Sequence, residues 1–168
     1  MAAAILVAYA TRHGSTEQVA ETVAETLREG GFDVDCQAMR DVRTFEGYDG
    51  IVMGAPLYMY RWHVDARRFL SRHREALVGR PVAVFALGPV HEPYDEEEWR
   101  DSRAQLHKEL AAFPWLEPVA VELFGGRFDP ESLRFPINLF ARAEPASDIR
   151  DWTAIRTWAE GLGTSLGV

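Results

Sequence analysis

Short, wholly apolar runs alternate along this chain with stretches whose apolar residues recur every three to four positions. Residues 3–9 form the first run, apolar on both faces, and read as a strand buried on both sides. In residues 16–29, Val19, Val23 and Leu27 recur at four-residue spacing beside Ala20 and Ala24, while Glu17, Glu21, Glu25 and Arg28 take the other side. That spacing predicts a helix with one narrow packing stripe, stopped by Gly30-Gly31. Residues 32–38 predict a second, more polar strand near a sheet edge. A central third strand is expected over 49–54, a fourth over 81–87 and a fifth over 118–124. Helices are expected over about 64–75, with Phe69 and Leu70 inward, and over 96–113, with Trp99, Leu106, Leu110 and Phe113 on one face before Pro114. Asp151 is placed to cap a last helix carrying Trp152, Ile155, Trp158 and Leu162.

Strands alternating with helices predict an α/β fold, a doubly wound five-stranded parallel sheet in the order 2-1-3-4-5 covered by helices on both faces. In such a sheet the ligand crevice lies outside the carboxyl ends of the first and third strands, where the strand order reverses. With 168 residues and no repeat, linker or low-complexity tract, a single domain spanning 1–168 is expected. The connection over residues 125–150 is too long for an ordinary loop, so a functional or partly structured segment is expected there.

Composition narrows the partners. A net charge of −8 disfavours polyanions, and nucleic acid is not an expected ligand. Cys36 is the single cysteine, so neither an intramolecular disulfide nor a cysteine metal cluster can form, and no metal site is expected. Its place in a predicted strand suggests a buried, inert thiol. Met1-Ala-Ala-Ala leads straight into the first strand without the features of a signal peptide, and no apolar run approaches a membrane span. A cytoplasmic protein is expected, with at most transient contact with a membrane surface.

The chemistry lies in the loops after the strands. Thr11-Arg12-His13-Gly14-Ser15-Thr16 places three hydroxyls around one glycine and opens directly into a helix. A helix N-terminus presents unpaired N–H groups and a partial positive charge, so this loop suits a terminal monophosphate. Neither the nucleoside-triphosphatase loop nor the Gly-x-Gly-x-x-Gly fingerprint is present. Ser15 or Thr16 acting as a plain helix cap is the alternative for the loop alone. Beside it, after the third strand, comes Pro56-Leu57-Tyr58-Met59-Tyr60-Arg61-Trp62, whose aromatic residues can stack on a flat ring. Leu87-Gly88-Pro89-Val90 after the fourth strand completes the crevice and offers backbone groups to the polar edge of a heterocycle. One monophosphate end and a flat ring describe FMN. His13, His63 and His91 are candidates for proton transfer by chemistry and location only, and no catalytic residue is assigned.

Thr11–Thr16 resembles the flavodoxin phosphate loop Thr/Ser-x-Thr-Gly-x-Thr, with His13 in place of the middle threonine. More narrowly, Ala10–Thr16, Tyr48-Asp-x-Val-x-Gly-Ala55, His63 ahead of its helix and Asp151-Trp152 resemble the flavodoxin-domain family that includes bacterial menaquinone-dependent protoporphyrinogen dehydrogenases. The resemblance spans nearly the whole chain. It implies a flavodoxin-like three-layer fold, FMN as cofactor, and a redox reaction in which a porphyrinogen or another reduced organic substrate is oxidised and a quinone takes the electrons.

In that family the connection after the fifth strand is longer, basic and aromatic; here residues 125–150 carry Phe128, Phe135, Ile137, Leu139 and Phe140 with Arg127, Arg134, Arg142 and Arg150. An apolar lid over the ring and a cover for the edge strand both fit that composition. Three functions remain open at this point. They are a small-molecule oxidoreductase, an electron carrier docking redox proteins through its acidic surface, and a flavin-free binding module.

Overall fold

The computed structural model describes residues 1–58 and 61–168, and Met59 and Tyr60 lie outside the described residues. In chain order the elements are β1 (Ala4–Tyr9), α1 (Ser15–Glu29), β2 (Asp33–Ala38), a 3-10 turn (Met39–Asp41), β3 (Gly50–Tyr58), β4 (Arg61–Trp62), α2 (Val64–Arg72), α3 (Arg74–Leu77), β5 (Val82–Leu87), α4 (Glu96–Ala111), β6 (Ala120–Phe124), β7 (Arg127–Phe128), a second 3-10 turn (Pro130–Ser132), α5 (Ile137–Ala141), β8 (Ser147–Asp148), α6 (Trp152–Glu160) and α7 (Leu162–Leu166). The five long strands pair in parallel in the order β2-β1-β3-β5-β6, which is the expected doubly wound order. β2 is an edge strand, as its polar composition predicts.

The two-residue period of the central strands divides their side chains between two cores. Ile5 and Val7 of β1, Val52 of β3 and Phe85 of β5 face the layer made by α1, α6 and α7, against Val19, Val23, Leu27, Ile155 and Leu162. Leu6 and Ala8, Ile51 and Met53, and Val82 and Val84 face the other layer, against Phe69, Leu70 and Leu106. This is why the strands read as unbroken apolar runs: both faces are covered. Gly54 of β3 lies opposite Phe85 in register, and a methyl group there would meet the Phe85 ring at 1.9 Å.

Three elements depart from the sequence expectation: β3, the final helix, and the helix expected over 64–75, which is broken at His73 into α2 and α3. β3 runs on past Gly54 to Tyr58 and folds back on Arg61–Trp62, pairing Leu57 with Trp62 and Tyr58 with Arg61. β1 has ended by then, its last partner being Tyr9 opposite Gly54, so no β1 ladder bond is lost to Pro56. The final helix is broken at Gly161 into α6 and α7, and its Trp152 is exposed. Residues 125–150 are partly structured: β7 and β8 form a two-stranded antiparallel ribbon around the short α5. Among the described residues no helix is long and apolar enough to cross a membrane.

Candidate functional site

The carboxyl ends of β1, β3 and β5 bring the three predicted loops together around a cleft of about 310 Å³, a size within the range of small-molecule sites. Arg12, His13 and Ser15 line it from the first loop, Pro56, Leu57 and Tyr58 from the second, and Leu87, Gly88 and Val90 from the third. Ala10 N–H donates to the Gly54 carbonyl at 2.9 Å and fixes the first loop to β3. The Arg12 guanidinium lies 4.3 Å from the centre of the Tyr58 ring, a cation–π contact that joins the first two loops.

Gly14 is the N-cap of α1 with φ of +88°, a left-handed backbone that glycine adopts without strain. Among the described residues no side chain caps the helix, so the cap role open to Ser15 or Thr16 is not the one they have, and both lie inside the first turn. The first helical bond there is Gln18 N–H to the Gly14 carbonyl, which leaves the N–H groups of the preceding positions to a ligand. Thr11 Oγ1 accepts from Gly14 N–H at 2.9 Å and keeps its own proton to donate. Thr16 is completely buried, yet its Oγ1 has no hydrogen-bond partner among the described residues. Buried hydroxyls are almost always paired. Thr11, Gly14 and Thr16 do not line the cleft itself, but an orphan hydroxyl in the first turn of a helix that starts at its rim fits the phosphate end of FMN.

The second loop corrects one expectation. Trp62 is 1% exposed, sits in the core and donates its indole N–H to the Ala55 carbonyl at 3.4 Å. The β3–β4 pairing turns it inward, so it offers no face to a ligand. Arg61 is exposed and Pro89 buried, and neither lines the cleft. Tyr58 remains as a half-buried ring at the cleft, while the assignments to Met59 and Tyr60 fall outside the described residues.

Two further walls line the cleft, one not expected from the sequence and one within the segment read there as a lid. Glu98, Ser102 and Gln105 of α4 face the cleft. Their i, i+4, i+7 spacing is a polar stripe at helical period, a signal present in the sequence beside the apolar face that was read. Residues 126–129 with Ser132 and Leu133 close another side, so the long connection folds over the cleft at its start. Phe135, Ile137, Leu139 and Phe140 point outward instead.

The candidate histidines differ in environment. Burial first, and the Arg12 charge second, lower the pKa of His13, so it is neutral at pH 7. His63 caps α2, its Nδ1 accepting from Asp65 N–H at 3.1 Å, and burial also lowers its pKa. His91 sits 3.0 Å from Glu98, which also accepts from the N–H groups of Val90 at 3.0 Å and His91 at 3.2 Å. The hydrogen bond to Glu98 and its charge raise the His91 pKa above 6.5. A raised pKa means the pair holds the third loop fully below pH 6.5 and loses this support as pH rises through the folded value. An NMR titration of His91 should give a midpoint above 6.5, and Glu98→Gln should lower it; an ordinary midpoint in the wild type would contradict this pairing. Cys36 is more than half buried and its thiol is pushed up to about 11, in keeping with an inert role.

Comparison with known proteins places this geometry. A family model described as a flavodoxin domain matches residues 6–137. Protoporphyrinogen IX dehydrogenase (quinone) of Escherichia coli strain K12 is 28% identical over 87 residues, 51% of this chain and 48% of that protein. The aligned region thus spans about half the length of the curated relatives it matches. Among solved structures, oxidised flavodoxin 2 from Bacillus cereus superposes with a TM-score of 0.57 at 20% identity, covering 98% of each chain. A flavodoxin from the domain Archaea gives 0.58 at 13% identity, over 98% of this chain and 99% of that one. At those identities the likeness is one of fold.

Proposed function

Because the chain belongs to the FMN-binding flavodoxin-domain family, we propose that it is an FMN-dependent oxidoreductase that oxidises a reduced organic substrate of the porphyrinogen class and passes the electrons to a quinone. The observation that carries the cofactor assignment is the buried, unpartnered Thr16 hydroxyl at the uncapped start of α1. The substrate class is supported by the partial similarity to the quinone-linked dehydrogenase.

When bound, FMN supplies reversible uptake of two electrons at its ring, which no side chain can provide. The residues of the chain hold, orient and shield. Ser15, Thr16 and the first-turn N–H groups of α1 bind the phosphate, with Thr11 donating its remaining proton. Leu57, Leu87 and Val90 give the ring an apolar wall that excludes water, and Tyr58, kept in place by Arg12, offers an aromatic face. Glu98 holds the Val90 backbone, fixing the third loop that would flank the ring. Neutral His13 at the cleft is able to accept the proton that a substrate N–H releases as the substrate is oxidised. Residues 126–133 act as the near part of a lid.

A second reading, a one-electron carrier between redox proteins, is favoured by the exposed acids Glu92, Asp95, Glu96 and Glu97 next to the third loop. Anaerobic reduction of the FMN-loaded protein and then rapid mixing with menaquinone separates the two. Prompt reoxidation is the expected result, and its absence would favour the carrier.

A further inference from the structure

The side chain of Arg150 is 4% exposed, and its partners come from two distant parts of the chain. Nε and Nη2 grip Asp148 of β8, at 2.8 Å to Oδ1 and 2.6 Å to Oδ2. Nη1 donates to the Ser15 carbonyl at 3.2 Å and to Gln18 Oε1 at 2.6 Å, both in the first turns of α1. The Trp152 ring covers the guanidinium at 4.8 Å. A planar fork with five donors suits such a junction, and lysine, a point donor on a flexible stem, cannot make all these bonds at once.

Asp148 is itself anchored. It pairs with Arg127 in the β7–β8 ribbon, and the neighbouring Ser147 hydroxyl donates to the Val90 carbonyl of the third loop. A rigid path therefore runs from the third loop through β8 and Arg150 to the start of α1. Its far end is the turn that carries Ser15 and the orphan Thr16 hydroxyl. The bidentate partner Asp148 cancels the Arg150 charge locally, so the pair acts by geometry and not as a free cation for an anion.

We infer that Arg150 is a positioning residue for the phosphate seat, holding the first turn of α1 in the orientation that accepts a phosphate monoester. The inference rests on the FMN reading above and adds to it a residue outside the cleft with a defined role.

Titrations of FMN and riboflavin into the flavin-free protein test it, because riboflavin has the same ring and lacks the phosphate. Arg150→Lys and Asp148→Ala are each expected to weaken FMN binding by about tenfold or more, the effect of losing charge-assisted hydrogen bonds. Riboflavin binding should stay at the wild-type level in both, which also verifies that the variants fold. Equal losses for the two flavins would overturn the inference, since a general structural role would act on both. So would unchanged FMN binding in either variant. Tighter FMN binding in Asp148→Ala would also overturn it, because an Arg150 released from its partner would then be acting through charge. A wild-type protein that binds neither flavin would overturn the FMN reading itself, a result distinguishable from the others.

Discussion

Replacing Thr16 with valine is expected to weaken FMN binding by about tenfold to a hundredfold, leave riboflavin binding unchanged, and raise the thermal stability of the flavin-free protein. All three signs come from one observation. Thr16 is fully buried and its hydroxyl has no partner among the described residues, so the flavin-free fold carries a desolvated donor at a cost of about 1–3 kcal/mol. Valine has nearly the same shape and a similar helix propensity, and it removes that cost without opening a cavity. A phosphate oxygen satisfies the hydroxyl only in the bound state, and a hydrogen bond to a charged group is worth about 1.5–3 kcal/mol. The mutation therefore moves the two states in opposite directions, which an ordinary core substitution does not do. Isothermal titration with both flavins and a melting curve of the flavin-free protein check it. A drop in melting temperature, or a parallel loss of riboflavin binding, would count against the role given to Thr16.

Gly54→Ala is expected to be the most destabilising single substitution in the sheet, at about 3 kcal/mol or more. The added methyl would stand 1.9 Å from Phe85 Cζ and 2.3 Å from Cε1. Phe85 has no exposed surface and is held edge-on by Trp158 at 5.9 Å and by a tilted Phe124 ring at 6.1 Å, so its ring has no room to retreat. Gly54 and Phe85 face each other on paired central strands, and the backbone cannot separate there without breaking the β3–β5 ladder. A loss of this size is a large part of the ~5–15 kcal/mol that holds a typical domain together. Phe85→Leu alone leaves a smaller side chain and costs about 1–2 kcal/mol. Combined with Gly54→Ala it should restore part of the stability, giving a favourable coupling in a double-mutant cycle. Urea unfolding of the three variants measures this. A Gly54→Ala protein within about 1 kcal/mol of wild type would show that the two strands tolerate the methyl.

The sheet was legible because its three central strands, β1, β3 and β5, are buried on both faces and so stand out as apolar runs. The alternation with α1, α2 and α4 then leaves few ways to order them. The phosphate loop was legible for a related reason, since Gly14 and its hydroxyl neighbours stand at a strand-to-helix turn whose backbone chemistry is local. The segment beyond Gly54 was harder to read. Gly54-Ala-Pro56 reads as the end of a strand, and only the absence of a β1 neighbour beyond Gly54 lets Pro56 continue it. That extension folds Trp62 back onto Ala55, which a count of aromatics in a loop cannot reveal. The break at Gly161 and the placing of residues 126–133 over the cleft depend on packing between distant segments, and no local spacing encodes them. Glu98, Ser102 and Gln105 are a different case. Their stripe was present in the sequence, but its meaning required knowing which face of α4 met the loops.

Binding of FMN by its phosphate in the cleft at the carboxyl ends of β1, β3 and β5 can be read from the visible absorbance spectrum of the purified protein after incubation with FMN and gel filtration. The flavin band is expected to co-elute with the wild-type chain and to be lost or strongly reduced with Thr16→Val. A protein fraction that elutes colourless in the wild type would contradict it.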